Sequence, residues 1–317
     1  MKARHSRASK PGRSALPLAG AAVIASALAV LAQNASDYEG FRPGGPVDHF
    51  RFSLGGGYRS DADIDSGGKF NESELRAVGT GLWGLSDQLK LATTLSYQFS
   101  HYDFSGVAVS PWDDVHVVRA TPLLYYILDE HWRVYGGPSF GFSAADGADW
   151  SQAFTGGGLA GFSYRFNQTL TLGAGLGVFS QIEDHARVLP IATANWQFSE
   201  QWNLRVGFLP LAGGGGLGAE VTYDLAKDWK IGAGVQFEQK RFRLDQNGPY
   251  PDGVGQDRRV PIYAKVTWEL APGAALEGVA GVVVGGQLQI DDSNGNQIFE
   301  SNYKPSALVG LRAVYRF

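Results

Sequence analysis

From residue 49 onward one pattern recurs: about ten residues in which apolar and polar side chains alternate one by one, a break, and the alternation again. Phe50, Phe52, Leu54 and Tyr58 alternate with Arg51, Ser53, Gly55, Gly57 and Arg59. Leu89, Leu91, Leu95, Tyr97 and Phe99 alternate with Lys90, Ala92, Thr94, Ser96 and Gln98. Val260, Ile262, Ala264, Val266 and Trp268 alternate with Arg259, Tyr263, Lys265, Thr267 and Glu269. A period of two belongs to a strand whose faces meet different media. The breaks are alternately tight and long. The tight ones are polar turns flanked by aromatics, as in Trp83 to Leu89, Tyr126 to Trp132, Tyr164 to Leu170, Trp196 to Trp202, Tyr223 to Trp229 and Trp268 to Ala274. Amphipathic rings settle at a lipid headgroup interface, so this rhythm predicts transmembrane strands joined by short periplasmic hairpins.

Fourteen strands are predicted, near 49–59, 75–84, 88–102, 115–127, 132–142, 155–166, 169–180, 187–198, 202–211, 217–225, 229–243, 258–270, 274–288 and 305–317. Twelve is the alternative count, because the four consecutive glycines 213–216 read equally as a loop or a bulge. The fold class expected is all-β, a closed antiparallel transmembrane β-barrel, since strands cross lipid only when no edge is left unpaired. Long connections rich in Asp, Gly, Asn and Ser, at about 60–73, 103–114, 143–153, 181–186, 212–216, 244–258 and 289–304, are the expected extracellular loops. Pro122, Pro138, Pro190 and Pro261 fall inside strands and call for bulges or rim positions. The composition agrees: 43 glycines, 12% aromatic residues, 18% charged residues and no cysteine leave a glycine-rich sheet closed by backbone hydrogen bonds and exclude disulfide or thiolate chemistry.

The first 32 residues follow another logic. Lys2, Arg4, Arg7, Lys10 and Arg13 precede an apolar run from Ala15 to Ala29, and Val30-Leu31-Ala32 supplies a cleavage site. Residues 1–32 are predicted to be a signal peptide, with a signal anchor as the rival reading; 33–48 are a periplasmic N-terminal segment and 49–317 the barrel. Removal of the peptide takes away five bases and no acid, so 22 Lys and Arg face 31 Asp and Glu. That balance excludes a nucleic-acid footprint.

The chain ends on a strand in which Ala307, Val309, Leu311, Ala313, Tyr315 and Phe317 share one face and Phe317 is the last residue. This resembles the terminal strand of bacterial outer-membrane β-barrel proteins, porin-like or of an uncharacterised barrel family. The resemblance implies an outer-membrane location among lipid and lipopolysaccharide, and recognition of Tyr315 and Phe317 by the barrel-assembly machinery.

The phase that keeps charge off the lipid sends Arg51, Arg59, Arg76, Lys90, Arg119, Arg133, Arg165, Arg187, Arg205, Lys230, Lys240, Arg259, Lys265, Arg312 and Arg316 inward, against the acids Glu220, Asp224, Glu238, Glu269 and Glu277. So basic a lumen, too short of acids for complete internal pairing, predicts passive passage of small anionic or polar solutes. Two alternatives stand beside it. One is a structural barrel without conductance. The other is a channel for a hydrophobic ligand, since Leu159, Leu189, Ile191, Leu209, Val279 and Val283 also point inward. No cofactor or metal is implied. Asp292-Ser293-Asn294-Gly295-Asn296 reads as an Asn-Gly turn before it reads as a calcium loop. Asp114-Val115-His116, with Asp113 beside it and Asp184-His185 on another loop, is the only hint of hydrolase chemistry, and no enzyme is predicted from it.

Overall fold

The structure is a computed structural model that describes residues 49–317; the expected signal peptide and the segment 33–48 lie outside the described residues. Fifteen strands follow in chain order: β1 (His49–Asp63), β2 (Lys69–Gly84), β3 (Leu89–Ser105), β4 (Asp114–Ile127), β5 (Trp132–Ala145), β6 (Phe154–Arg165), β7 (Leu170–Gln181), β8 (Asp184–Gln197), β9 (Trp202–Pro210), β10 (Gly215–Ala226), β11 (Trp229–Arg243), β12 (Val254–Ala271), β13 (Ala274–Asp291), β14 (Gln297–Tyr303) and β15 (Ser306–Arg316). From β1 to β14 each pairs antiparallel with the next, and β1 closes the ring on β15 from Arg51↔Arg316 to Arg59↔Leu308. β14 and β15 both pair with β13 and are two halves of one wall strand, broken at Lys304-Pro305 where the proline has no amide to donate. The wall is therefore a closed barrel of fourteen strands.

The exterior carries the apolar phase of every strand. Phe52, Leu54, Leu95, Leu176, Ile262, Val266, Val309 and Leu311 are all exposed, which in a closed barrel means facing lipid. At the hairpin end the aromatic girdle is continuous. Trp229 lies flat on Trp268 with ring centres 5.4 Å apart, Trp202 meets Tyr223 at 4.8 Å, and Trp132 meets Tyr164 at 4.8 Å. A closed barrel with an apolar waist and an aromatic belt is an outer-membrane protein by construction.

Several connections differ from expectation. β1 and β2 extend to Asp63 and Lys69, so their loop is short, and most of 289–304 is the β13–β14 hairpin rather than loop. The alternation had simply continued through polar residues beyond the lipid. Pro190 sits where β8 has no β9 partner, because those two strands pair only from Ala194↔Val206 to Gln197↔Asn203. Above that point the wall is split, and β9 turns inward.

Candidate functional site: the lumen and its infolded plug

The inward turn begins at Gly207, whose φ of 138° lies in a region that L side chains rarely adopt. Phe208, Leu209, Leu211 and Ala212 that follow are buried inside the ring. The glycine run thus crosses the lumen to the opposite wall. The Ala212 carbonyl lies where a Cβ on Gly55 of β1 would have to be, Gly213 abuts Gly57, and Ala212 abuts Gly310 of β15. Glycine on both sides lets two backbones meet. Arg76 of β2 fixes the crossing: its Nη1 donates to the Gly214 carbonyl at 2.5 Å, and its guanidinium stands 5.7 Å from the Phe208 ring centre. The connection at 212–216, expected outside, is an internal plug.

A second element folds in above it. β11 pairs with β10 only as far as Phe237↔Leu217, then continues with β12 alone and meets β5 at Arg243↔Ala144. Glu238, Gln239, Arg241, Phe242 and Arg243 of this stretch are all buried. Arg241 pairs with Asp291 at 2.7 Å and Arg243 with Glu183 at 2.5 Å, tying the infolded hairpin to the rim.

Between these elements and the β1–β3 wall lies a buried charge network. Arg59 meets Glu72 at 2.9 Å and Asp257 at 3.4 Å. Its Nη1 donates to the Tyr303 hydroxyl at 2.7 Å, which donates onward to Asp257 at 2.7 Å. Arg259 contacts Glu238 and Glu74, each at 2.8 Å, and also Glu72. Lys240 contacts both Glu72 and Glu74 and donates to Ser100 at 2.8 Å. Four acids (Glu72, Glu74, Glu238, Asp257) thus face four bases (Arg59, Arg76, Lys240, Arg259). In this network charge is balanced, and Glu72, Glu74 and Asp257 lie outside the set of acids expected inside. Glu72 and Asp257 fall in the expected loops 60–73 and 244–258, and Glu74 falls between loop and strand, because the alternation places the start of strand two at 75 and of strand twelve at 258. The signal was present in Phe70, Glu72, Glu74 and Arg76, which already alternate in the phase of the lumen.

Nearer the periplasm Glu220 holds Lys265 at 2.7 Å and Arg205, and accepts from the Tyr263 hydroxyl at 3.0 Å; Arg312 holds Glu277 at 2.6 Å. Below them opens a vestibule of about 380 Å³ lined by Arg51, Arg205, Lys230, Lys265, Arg312 and Arg316 against Asp224, Glu269 and Glu277. Among the other residues expected inside, Lys90 is buried, and Arg133, Arg165 and Arg187 are half-buried. Arg76 and Arg119 line a small cavity of about 60 Å³ under the glycine segment.

The lumen is not charged throughout. Leu123, Tyr125, Tyr135, Leu159, Phe179, Leu189, Ile191 and Phe208 form one apolar cluster. They come from β4 to β9, so that side of the ring has an apolar lining, whereas around β1, β2 and β11 to β13 the ionic network is interleaved with a second apolar cluster that includes Phe70, Phe242, Val283 and Ile290. The split between β8 and β9 opens beside the apolar half.

At the outer rim the histidines disperse. His101 Nδ1 meets Asp114 at 2.6 Å, whereas His116 Nδ1 meets the Tyr97 hydroxyl at 2.8 Å and its Nε2 meets Asp146 at 2.9 Å. Asp184 pairs with Arg187 at 3.2 Å. Asp292 accepts from the backbone N–H groups of Asn294 and Asn296 at 2.8 and 2.9 Å, so its carboxylate closes its own turn. Tyr315 and Phe317 are exposed, with the Phe317 amide donating to the Phe50 carbonyl at 2.8 Å.

A family model described as "Domain of unknown function (DUF6268)" matches residues 128–315, more than half of the chain. No curated protein matches the sequence. Among solved structures, an outer-membrane channel from Pseudomonas putida F1 is 13% identical over 88% of this chain and 98% of its own, with a TM-score of 0.47. A Pseudomonas aeruginosa FadL homologue is 10% identical over 84% of this chain and 90% of its own, also at 0.47. The P. putida toluene transporter TodX is 8% identical over 87% and 90%, at 0.41.

Proposed function

This chain belongs to the family described as "Domain of unknown function (DUF6268)", and from the lumen it encloses we propose that it is a normally closed outer-membrane channel for small anionic solutes. The observation that carries the reading is the vestibule at the periplasmic mouth, whose lining has six bases and three acids, with Glu220 behind Arg205 and Lys265 as a fourth. A low-dielectric mouth lined by one sign of charge concentrates the opposite ion. The plug supplies the closed state. It reaches β1 through glycines, with Leu211 and Ala212 as its buried apolar side chains. Within this reading Tyr315 and Phe317 are the signal offered to the assembly machinery, the outward belt meets lipid and lipopolysaccharide, and the rim histidines, each bonded to a different carboxylate or hydroxyl, carry no catalysis.

A second reading rests on the split wall. Above Ala194 the edge of β8 is unpaired with β9, next to the apolar cluster around Phe179 and Phe208; a hydrophobic ligand could pass sideways there.

Planar-bilayer recording separates the two. Because the protein has no cysteine, Gly57→Cys with Gly213→Cys can be joined across the plug contact. The joined form is expected to be silent and the reduced form to open in steps with an anion-selective reversal potential, which moves toward zero in Arg51→Gln. Absence of steps in both forms refutes the channel; steps without anion preference refute the anionic cargo.

A further inference from the structure

Arg119 stands outside the pairing. It lines the small cavity under the plug, and it has no hydrogen-bond or ion-pair partner among the described residues. The central network is balanced without it. The other guanidinium of the cavity, Arg76, is held by a neutral group, the Gly214 carbonyl. Both point inward, from β4 and β2. The registers Arg76↔Gln98 and Ser96↔Arg119 place them two strands apart, about 10 Å across the sheet. Ser143 and Lys240 line the same space, as does Glu238, whose carboxylate is paired with Arg259. At about 60 Å³ the cavity holds several water molecules, hence one small oxyanion rather than a file of solute.

We infer that this cavity is an oxyanion site, that a carboxylate or phosphate group bridges Arg76 and Arg119, and that its occupation unlatches the plug. The inference rests on the channel reading and gives its closed state a trigger. An anionic oxygen offers a guanidinium a Coulombic attraction that a neutral carbonyl lacks, so an anion between the two arginines takes Arg76 from Gly214. Arg76 also covers Phe208, at the start of the infolded segment, so the same movement loosens both ends of the crossing. Arg119 contributes the charge that makes the site selective for anions, and Arg76 converts binding into release.

The test is calorimetric titration of the folded barrel in detergent, at constant ionic strength set with sodium chloride, using inorganic phosphate and acetate as separate probes. Saturable uptake of one of them is expected, and the stronger of the two identifies the headgroup. Arg119→Gln is expected to weaken it at least tenfold and Arg119→Lys to weaken it less. Lys304→Gln, at the outer rim, leaves it unchanged. In the Gly57→Cys, Gly213→Cys protein the rate of cross-linking falls as the bound anion is added. Heat-shifted gel migration verifies that each variant is folded. Flat titrations of the unaltered protein, or full affinity in Arg119→Gln, overturn the site while leaving bilayer conductance to judge the channel by itself. A cross-linking rate indifferent to a bound anion overturns the unlatching.

Discussion

Replacing Glu72 with glutamine keeps the shape of the side chain and removes its charge. The Glu72 side chain is 0% exposed and pairs with Arg59 at 2.9 Å and with Lys240 and Arg259. Without it the four cations Arg59, Arg76, Lys240 and Arg259 keep only Glu74, Glu238 and Asp257, and the network carries one uncompensated positive charge away from water. Removing one partner of a buried ion pair costs about 3–5 kcal/mol, and the three contacts here place Glu72→Gln at the upper end. For a urea dependence of roughly 2–3 kcal/mol per molar, the unfolding midpoint of the barrel in lipid vesicles falls by about 1.5–2 M, read by tryptophan emission. The charge argument makes a sharper demand on the double variant. Glu72→Gln with Lys240→Gln restores neutrality and is expected to recover at least half of the loss, although it removes one more contact. A midpoint that hardly moves in the single variant, or a double variant less stable than the single, refutes the view that charge balance holds this plug in place.

Three further outcomes follow from the same geometry. Leu95, 58% exposed in the middle of β3, faces lipid, so Leu95→Arg costs about 2–4 kcal/mol while Leu85→Arg in a periplasmic turn costs less than about 1; equal costs in vesicle unfolding would place the membrane elsewhere. Hydrogen exchange followed by mass spectrometry is expected to be faster over 184–193 of β8 than over its β7 partner, because only β7 pairs with that stretch; uniform protection would mean that the wall is zipped shut. Hydrogen bonds from the Asn296 side chain and from the Asn296 and Asn294 amides hold the Asp292 carboxyl below its ordinary range. The folded value is the lower one, so the order of this turn is complete above the ordinary carboxylate range and is lost as pH falls through the depressed value. Carboxyl NMR checks it, and titration at the ordinary position removes the cap.

The wall was legible in the sequence because lipid enforces the period. A charge out of phase costs kilocalories, so Arg59, Arg76, Arg259, Lys265 and Arg312 had only one side to occupy. What fills the lumen was not legible, because no such penalty operates there. Inside the barrel Glu72, Glu238 and Leu209 are all tolerated, given partners, and the alternation carries no information about which of them touch. The plug shows the limit most clearly. Gly213 to Gly216 carry no side chain to reveal a direction, and their destination is set by Gly55, Gly57 and Gly310, more than a hundred residues upstream or nearly a hundred downstream. Glu72 and Asp257 were lost for a different reason. Polar residues above the lipid read as loop when the strand had merely left the membrane.

The two halves of the lumen answer different requirements. Apolar side chains from β4 to β9 pack without needing partners, so that side can tolerate the split at β8. The ionic side cannot, since every carboxylate there is satisfied by a base on another strand. The plug crosses from one half to the other: Phe208 is buried in the apolar cluster, while Gly214 is held by Arg76 on the ionic wall. Moving its far end must therefore break the Arg76 contact and unpack Leu211 and Ala212. That asymmetry is why the latch is sought at Arg76 rather than at Phe208: a hydrogen bond to a neutral carbonyl can be exchanged for one to an anion in place, whereas a buried ring has no competitor in water.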